Sequence, residues 1–233
     1  MIAARVLHMK TEKYAESKTC NGLDGERSLS SMPQLRAVLD ESYRELDAMM
    51  AYTAGVEDRL NECLRGGIIP DADLVDAIAV CKIRCIDVAV QRVHTLRLEV
   101  GSYALMHGTG FELVDMFLCC KFAEGDSRIL QQKLARDRLK AVAKGGVGAA
   151  VAGLFDEEGR SALLLASKLK PAGRDLTKLS VAMDENWRAI YGLANLIEER
   201  HIRDGVKSAF LEPVVERLAP ASVEFDGEWK EKI

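Results

Sequence analysis

The sequence has few aromatic residues and no apolar run long enough to cross a bilayer. Phe, Trp and Tyr together make up only 6% of the chain. A membrane-spanning helix needs about 20 consecutive apolar residues, so a helical membrane protein is not expected. The N-terminus also lacks the charged and apolar segments of a secretory signal. We therefore predict a soluble chain.

An excess of positive charge is also absent, since the net charge is −4 at neutral pH. Proteins that bind nucleic acid or anionic membranes by electrostatics carry basic surfaces. Such partners are therefore not expected. Protein partners, in a homo-oligomer or a larger complex, remain compatible with this charge.

No two cysteines have the Cys-x-x-Cys spacing of a zinc or redox site. Cys81 and Cys85 are four positions apart and would share one helix face. We expect the cysteines to be small, buried apolar residues in a reducing compartment. The chain has six of them: Cys20, Cys63, Cys81, Cys85, Cys119 and Cys120. No metal site is predicted.

Strand patterns are missing as well, and helical periodicity dominates the chain. Apolar residues at helical spacing and strong helix formers predict an all-α fold, an antiparallel helical bundle with a helical C-terminal extension. A glycine-rich joint at 145–148 divides residues 1–143 from an extension over 144–233. Residues 20–33 are predicted to form a loop. Helices are expected over 2–18, 34–65, 72–106, 111–121, 127–144, 158–169, 174–202 and 205–218.

The most informative stretch is Glu124-Gly125-Asp126-Ser127, followed by Ile129-Leu130 and Ala135-Arg136. Glycine accepts backbone angles that other residues avoid, so such a turn can hold a carboxylate in a fixed place. The stretch resembles the C-terminal helical domain of acyl-CoA dehydrogenases and acyl-CoA oxidases, flavoenzymes in which a Glu-Gly turn precedes Ala-Arg at this spacing. Asp126 is closer to the oxidase form.

The resemblance implies FAD-dependent α,β-dehydrogenation of an acyl-CoA, with Glu124 as the catalytic base. A base of this kind needs a raised pKa, which a water-poor pocket provides. Leu118, Phe122 and Ala123 are the expected surroundings. The alternative interpretation makes Glu124 a carboxylate near a helix start, where free backbone N–H groups favour negative charge.

Two further segments resemble the family's FAD contacts, with departures. Tyr14 to Lys18 is similar to a Tyr-Ala-x-x-Arg segment that helps hold the FAD of a neighbouring subunit, but Lys18 replaces the arginine. Asn21 stands where the family has Phe, and Gly22 keeps the glycine. A Gln-x-x-Gly-Gly-x-Gly motif should begin at Arg97, and only Gly101 matches it.

The resemblance implies cofactor contacts at Lys18, Gly22, Gly101, Gly125 and Asp126. Val100 and Tyr103 stand at the other two glycine positions of the motif. The family also carries an N-terminal helical domain and a β domain ahead of this one, and the first helix here begins abruptly near Met1. We therefore expect a chain that cannot complete the flavin site by itself.

Two functions remain open from the sequence. The favoured one is a non-catalytic structural subunit of a larger assembly. The other is the C-terminal part of an FAD-dependent acyl-CoA dehydrogenase or oxidase that works with domains on other chains. The resemblance implies a mitochondrial or peroxisomal location, although the C-terminal Lys-Glu-Lys-Ile is not a peroxisomal address.

Several other residues receive ordinary interpretations. His94 and His107 lack a partner at helical spacing and are not expected to bind metal. Gln131, Gln132 and Lys133 are expected to be solvated or at an interface. The apolar stripe over 176–197 is expected either to close the bundle or to receive a partner helix.

Overall fold

The computed structural model describes residues 1–22, 25–123, 125–173 and 175–209, without the side chains of 147–150, 152 and 207–209. These residues form a helical bundle, which confirms the predicted all-α class. The helices are α1 Ile2–Ser17, α2 Pro33–Gly66, α3 Ala72–Glu99, α4 Val114–Cys119, α5 Ser127–Gly153, α6 Glu157–Leu169, α7 Leu176–Glu185 and α8 Trp187–Ala209.

Helices α2 and α3 form the antiparallel pair at the centre of the core. Pro33 stands at the first turn of α2, where its missing N–H is not needed, and Gly67 ends the helix in the left-handed region with φ 62°. The Asp71 side chain then accepts a hydrogen bond from Leu74 N at 2.8 Å and caps α3. Leucines at helical spacing are buried between the helices, including Leu35, Leu39, Leu46 and Leu96.

A small β-hairpin occupies part of the segment predicted to be a loop. Strand β1, Thr19–Gly22, pairs antiparallel with β2, Gly25–Ser28, and Cys20 lies opposite Arg27. The expectation of no strand was therefore wrong at this place. Four-residue strands are too short to produce a clear alternation of apolar and polar residues.

Helix α3 ends earlier than predicted. It stops at Glu99, and Gly101 follows with φ 58° in the left-handed region. Short 3-10 turns then cover Gly101–Leu105 and Phe111–Leu113, the second leading directly into α4. The predicted helices over 72–106 and 111–121 were thus each too long.

The C-terminal helices pack against the bundle. Helix α5 is kinked at Gly146 (φ 63°, ψ −155°), within the predicted joint. Helix α8 contacts both α2 and α5. The buried Glu158 carboxylate joins three helices, because it pairs with Arg138 of α5 at 2.6 Å and Arg200 of α8 at 2.7 Å. That residues 1–143 form a unit of their own remains a prediction.

The predicted helix over 174–202 is two helices in the structure. Asn186 separates α7 from α8, and its side chain donates to Ala182 O at 2.9 Å. Helix α8 then runs to Ala209 without the predicted break after 202. Within the apolar stripe, Ile197 is buried while Leu176 is 80% exposed. The remainder of the predicted last helix and the tail, 210–233, lie outside the described residues.

Candidate functional site

The turn before α5 is held by its own backbone and by Asp126. Gly125 has φ 108°, a conformation that side chains rarely allow. The Asp126 carboxylate accepts a hydrogen bond from Arg128 N at 2.7 Å, and Ser127 N donates to Lys121 O at 3.1 Å. Glu124, the candidate base, lies outside the described residues.

Lys82 of α3 holds this turn through hydrogen bonds. Its ammonium group donates to Lys121 O at 2.6 Å, to Gly125 O, and to Ser127 Oγ at 3.1 Å. All three acceptors are uncharged, so the positive charge stays in the site. Lys82 was not predicted, because these contacts join residues about 40 positions apart in the sequence.

A polar cleft of about 620 Å³ opens beside the turn, between α3, the start of α5, and α8. Lys121 and Asp87 form an ion pair of 2.5 Å on its wall. The Arg128 guanidinium lies 4.8 Å from the centre of the Tyr191 ring. The cleft is lined by Arg84, Asp87, Val90, Gln91, His94, Lys121, Phe122, Asp126, Ser127, Arg128, Gln131 and Asn195.

Under the cleft, Gln131 connects to a buried carboxyl group. Its side-chain amide donates to Glu198 Oε1 at 2.9 Å, and the other Glu198 oxygen lies 3.9 Å from Arg84. Burial raises the pKa of Glu198, while the Gln131 hydrogen bond and the Arg84 charge act in the opposite direction. Gln131 is buried rather than solvated, so that expectation was wrong.

The residues expected to keep water from the turn are exposed in this chain. Phe122 is 70% exposed, Leu118 is 39% exposed, and Ala123 is also exposed. Desolvation raises a carboxyl pKa only when apolar groups exclude water. These side chains do not exclude water in the chain by itself. The expectation of water-poor surroundings concerns an intact relative and stays a prediction.

Lys18 and Gly22 lie at the end of α1 and in the hairpin. The Lys18 ammonium lies 5.6 Å from the centre of the Tyr14 ring. Gly22 pairs with Gly25, and the side chain of Arg27 lies where a Cβ at Gly22 would point, with the nearest atom 2.4 Å away. Gly22 therefore accommodates an arginine of the same hairpin.

An aromatic cluster connects the segment that contains Gly101 with the segment that contains Lys18. Tyr103 follows Gly101 and stacks on Tyr14 with ring centroids 3.7 Å apart. Phe111 meets Tyr103 edge-on at 6.3 Å. Tyr14 therefore contacts both Lys18 and Tyr103, which places these two predicted segments on one side of the bundle.

The predicted cofactor residues do not converge on one place. Lys82 of α3 contacts Gly125, whereas Gly101 lies just after the end of α3, 19 positions further along the chain. At a helical rise of 1.5 Å per residue, the distance between Lys82 and Gly101 along the helix axis is about 28 Å. Gly125 and Asp126 therefore form one candidate site, and Lys18, Gly22 and Gly101 form another.

The cysteines divide into two kinds. Cys81 and Cys85 are partly buried, and burial raises the pKa of Cys81 to about 12. Cys119 and Cys120 at the end of α4 are exposed, contrary to expectation. The described part of the chain has no group of three or more potential metal ligands. None of its helices is long and apolar enough to cross a membrane.

The fold resembles part of an acyl-CoA oxidase. The similar structure is that of an acyl-CoA oxidase from Lycopersicon esculentum (tomato), with a TM-score of 0.64 and 15% sequence identity. The likeness covers 90% of this chain and 37% of the oxidase. This chain therefore spans little more than a third of that protein's length, and at this identity the likeness shows the fold alone.

The structural likeness also extends further than the sequence motifs did. A 90% share of 233 residues reaches beyond residue 143, where the sequence resemblance ended. No protein-family model matches the sequence, and no curated protein matches it either. The structural likeness therefore supports the resemblance at the level of the fold.

Proposed function

We propose that this chain is an acyl-CoA oxidase-like helical domain that acts as a non-catalytic structural subunit of a larger assembly. The observation that carries this proposal is the stacking of Tyr103 on Tyr14 at 3.7 Å. The resemblance puts the third glycine of the FAD motif at Tyr103. In place of that glycine the chain has an aromatic ring that is already stacked on another part of the chain, which supports the loss of the nucleotide contact.

Lys18 supports the same conclusion. The resemblance calls for an arginine, whose planar fork can hold a ligand at two points, whereas lysine is a single point charge. The Lys18 ammonium lies over Tyr14, in contact distance for a cation–π interaction. Its charge thus already has a favourable contact within the chain, and it cannot reproduce the two-point contact of the family's arginine.

The segment between α3 and α5 offers a surface for a protein partner. Several of its large apolar side chains face solvent, and exposed apolar surface of this kind marks interaction sites. They are Leu105 (76% exposed), Met106 (59%), Leu113 (48%), Met116 (67%) and Phe122 (70%). We call these five residues the apolar segment.

The experiment compares the native size of the chain with that of variants in its own source. Tagged protein at native level should elute far above the 25.7 kDa of one chain. The double variant Leu105→Glu, Met116→Glu should elute close to that mass. The control Ile69→Glu changes a side chain that is 88% exposed in the turn between α2 and α3, and it should keep the large complex.

The proposal fails if the wild-type chain elutes at the mass of a monomer. It also fails if the double variant remains in the complex while its helical circular dichroism is unchanged. Loss of the complex in the Ile69→Glu control would likewise remove the role of the apolar segment.

A second candidate function is catalysis with a partner that supplies the missing surroundings. The observation that favours it is the Lys82 anchor, which fixes the carbonyls of Lys121 and Gly125 on both sides of Glu124. In such an assembly, located in a mitochondrion or peroxisome, a partner domain would cover Phe122. Bound FAD would supply the hydride acceptor, and Glu124 would take the α-proton of an acyl-CoA. Glu124→Gln should then abolish turnover in the assembly without loss of the complex.

A further inference from the structure

The cleft beside the turn contains two arginines with little compensating charge. Arg84 has its nearest carboxylate, Glu198 Oε2, at 3.9 Å, which is longer than a hydrogen bond. Its Nε atom is buried and has no hydrogen-bond partner among the described residues. The Arg84 side chain is nevertheless 34% exposed, so its guanidinium reaches the cleft.

Arg128 reaches the same cleft from the first turn of α5. Its guanidinium donates to Gln131 Oε1 at 3.2 Å and lies over the Tyr191 ring, and no described carboxylate lies within 4.0 Å of it. The carboxylate of Asp126 accepts from the Arg128 backbone instead. Stacking on a ring positions the guanidinium and leaves N–H groups for another acceptor.

The other charges nearby neutralise these arginines only in part. Lys121 and Asp87 pair with each other at 2.5 Å, and Lys82 donates only to uncharged acceptors. Glu198 is almost completely buried, and its Oε2 lies 3.9 Å from Arg84 without a hydrogen bond, so it compensates the Arg84 charge only in part. The Asp126 carboxylate also lines the cleft. Among the described residues, the charges of Arg84, Arg128, Lys82 and Lys121 still exceed those of Asp87, Asp126 and Glu198 by one.

Gln131 and Glu198 link the two arginines. Arg128 donates to Gln131, Gln131 donates to Glu198 at 2.9 Å, and Glu198 lies next to Arg84. The two guanidinium groups therefore flank one buried polar pair. Side chains with hydrogen-bonding groups, Asn195 and Ser127, line the same space.

We propose that this cleft binds a small oxyanion, the phosphate or carboxylate group of a small molecule, between the guanidinium groups of Arg84 and Arg128. Arginine binds such groups through two parallel N–H donors, a geometry that lysine cannot provide. A volume of about 620 Å³ is within the range of small-molecule sites. The proposal does not depend on the structural role proposed above.

The test is isothermal titration calorimetry of the full chain with inorganic phosphate and with succinate at low salt. Arg84→Gln and Arg128→Gln should each weaken binding of the preferred probe by about tenfold or more, since each removes a charge-assisted contact. Arg128→Lys should restore only part of the affinity. Arg65→Gln, in the exposed last turn of α2, removes the same charge elsewhere and should bind as the wild type does.

The two probes separate the two sources of the oxyanion. Binding of phosphate with weak or no binding of succinate assigns a phosphate ligand, and the reverse assigns a carboxylate. Thermal unfolding of each variant checks that it is folded. If Arg84→Gln does not fold, the binding measured with Arg128→Gln tests the proposal by itself. The proposal is overturned if neither probe binds the wild type, if Arg128→Gln binds both as tightly as the wild type, or if Arg65→Gln weakens binding equally.

Discussion

Gln131 and Glu198 lie 67 positions apart in the sequence and meet in the core, where the Gln131 amide donates a hydrogen bond of 2.9 Å to the Glu198 carboxyl group. The contact joins α5 to α8, and both side chains are buried. Glu198 Oε2 has no hydrogen-bond partner among the described residues, and Arg84 lies 3.9 Å from it, so burial disfavours a charge on this carboxyl group more than its partners favour it. The free energy of unfolding should therefore depend on whether Glu198 is protonated.

The first prediction is that Glu198→Gln stabilises the protein at neutral and higher pH. Burial raises the folded-state pKa of Glu198, so the folded state holds the proton more tightly than the unfolded chain. The free energy of unfolding should thus fall as pH rises from the ordinary glutamate pKa through the raised one. The glutamine keeps the acceptor for Gln131 and removes the charge, with an expected gain of about 1 kcal/mol at pH 8.

Urea denaturation between pH 4 and pH 8 measures this effect. Glu62→Gln, at an exposed position of α2, should retain the wild-type pH dependence. If wild type and Glu198→Gln have the same free energy of unfolding at every pH, the ionised Glu198 side chain does not destabilise the folded state, and the prediction is wrong.

The second prediction concerns close packing of α8 on α2. A Cβ at Gly205 would lie 2.5 Å from the Tyr52 ring, and Tyr52 is buried with its hydroxyl near Ala77 O. Gly205→Ala should destabilise the fold by about 1–3 kcal/mol through overpacking, although alanine is otherwise the better helix former. Thermal or urea unfolding measures the change.

Gly192, in the same helix, provides the matched control. A Cβ at Gly192 would meet nothing within 4 Å. Gly192→Ala should therefore stabilise the protein by up to about 1 kcal/mol through helix propensity alone. If Gly205→Ala and Gly192→Ala change the free energy of unfolding in the same direction, the close packing of α8 on α2 at Gly205 is contradicted.

The third prediction is a loss of stability in mild acid that depends on His8. His8 is fully buried in α1, and its Nδ1 lies 2.8 Å from Ala4 O while Nε2 has no partner among the described residues. Burial lowers the folded-state pKa of His8 below 6.5, and the nearby backbone hydrogen bonds only partly offset this. The contribution of the neutral His8 ring to the free energy of unfolding is present above pH 6.5 and is lost as pH falls through the folded-state pKa.

His8→Leu should therefore make the free energy of unfolding less sensitive to pH between 7 and 5. Part of the slope should remain, because burial also lowers the pKa of His201. His94→Leu, at an exposed position, should leave the wild-type slope. A slope in His8→Leu equal to that of the wild type would mean that His8 is not buried as a neutral ring.

The fourth prediction is that Lys82 holds the turn before α5. Lys82→Met removes the donor to Lys121 O, Gly125 O and Ser127 Oγ, so backbone amides over 121–127 should exchange hydrogen faster. Exchange in α2 should change little. Hydrogen–deuterium exchange with mass spectrometry measures both regions. Lys144→Met, at an exposed position, is the control, and equal protection of 121–127 in all three proteins would remove the anchoring role.

The helices were predictable where local signals agreed. For α2, leucines at helical spacing lie between Pro33 and the Gly66-Gly67 stop, and the observed bounds differ from the prediction by one residue at each end. The break at Asn186 was missed, because apolar residues continue at helical spacing across it. The hairpin was missed because each strand has only four residues.

The polar interior could not be predicted from the sequence. Lys82, Glu158 and Glu198 each depend on partners far along the chain, and no local pattern marks such contacts. Gln131 was expected to be solvated or at an interface, as glutamine is usually exposed, but its side chain is buried between α5 and α8. The roles of Glu124, Lys18, Gly22 and Gly101 rest on the family resemblance and stay predictions.

The most direct test of the structural role is the visible absorption spectrum of the protein purified from its native source with its bound partners. We predict that the chain co-purifies in a large complex, that no flavin band stays with it, and that adding an acyl-CoA leaves the spectrum unchanged. A flavin band that stays with this chain and bleaches on addition of an acyl-CoA would contradict the account and make Glu124 the base to test next.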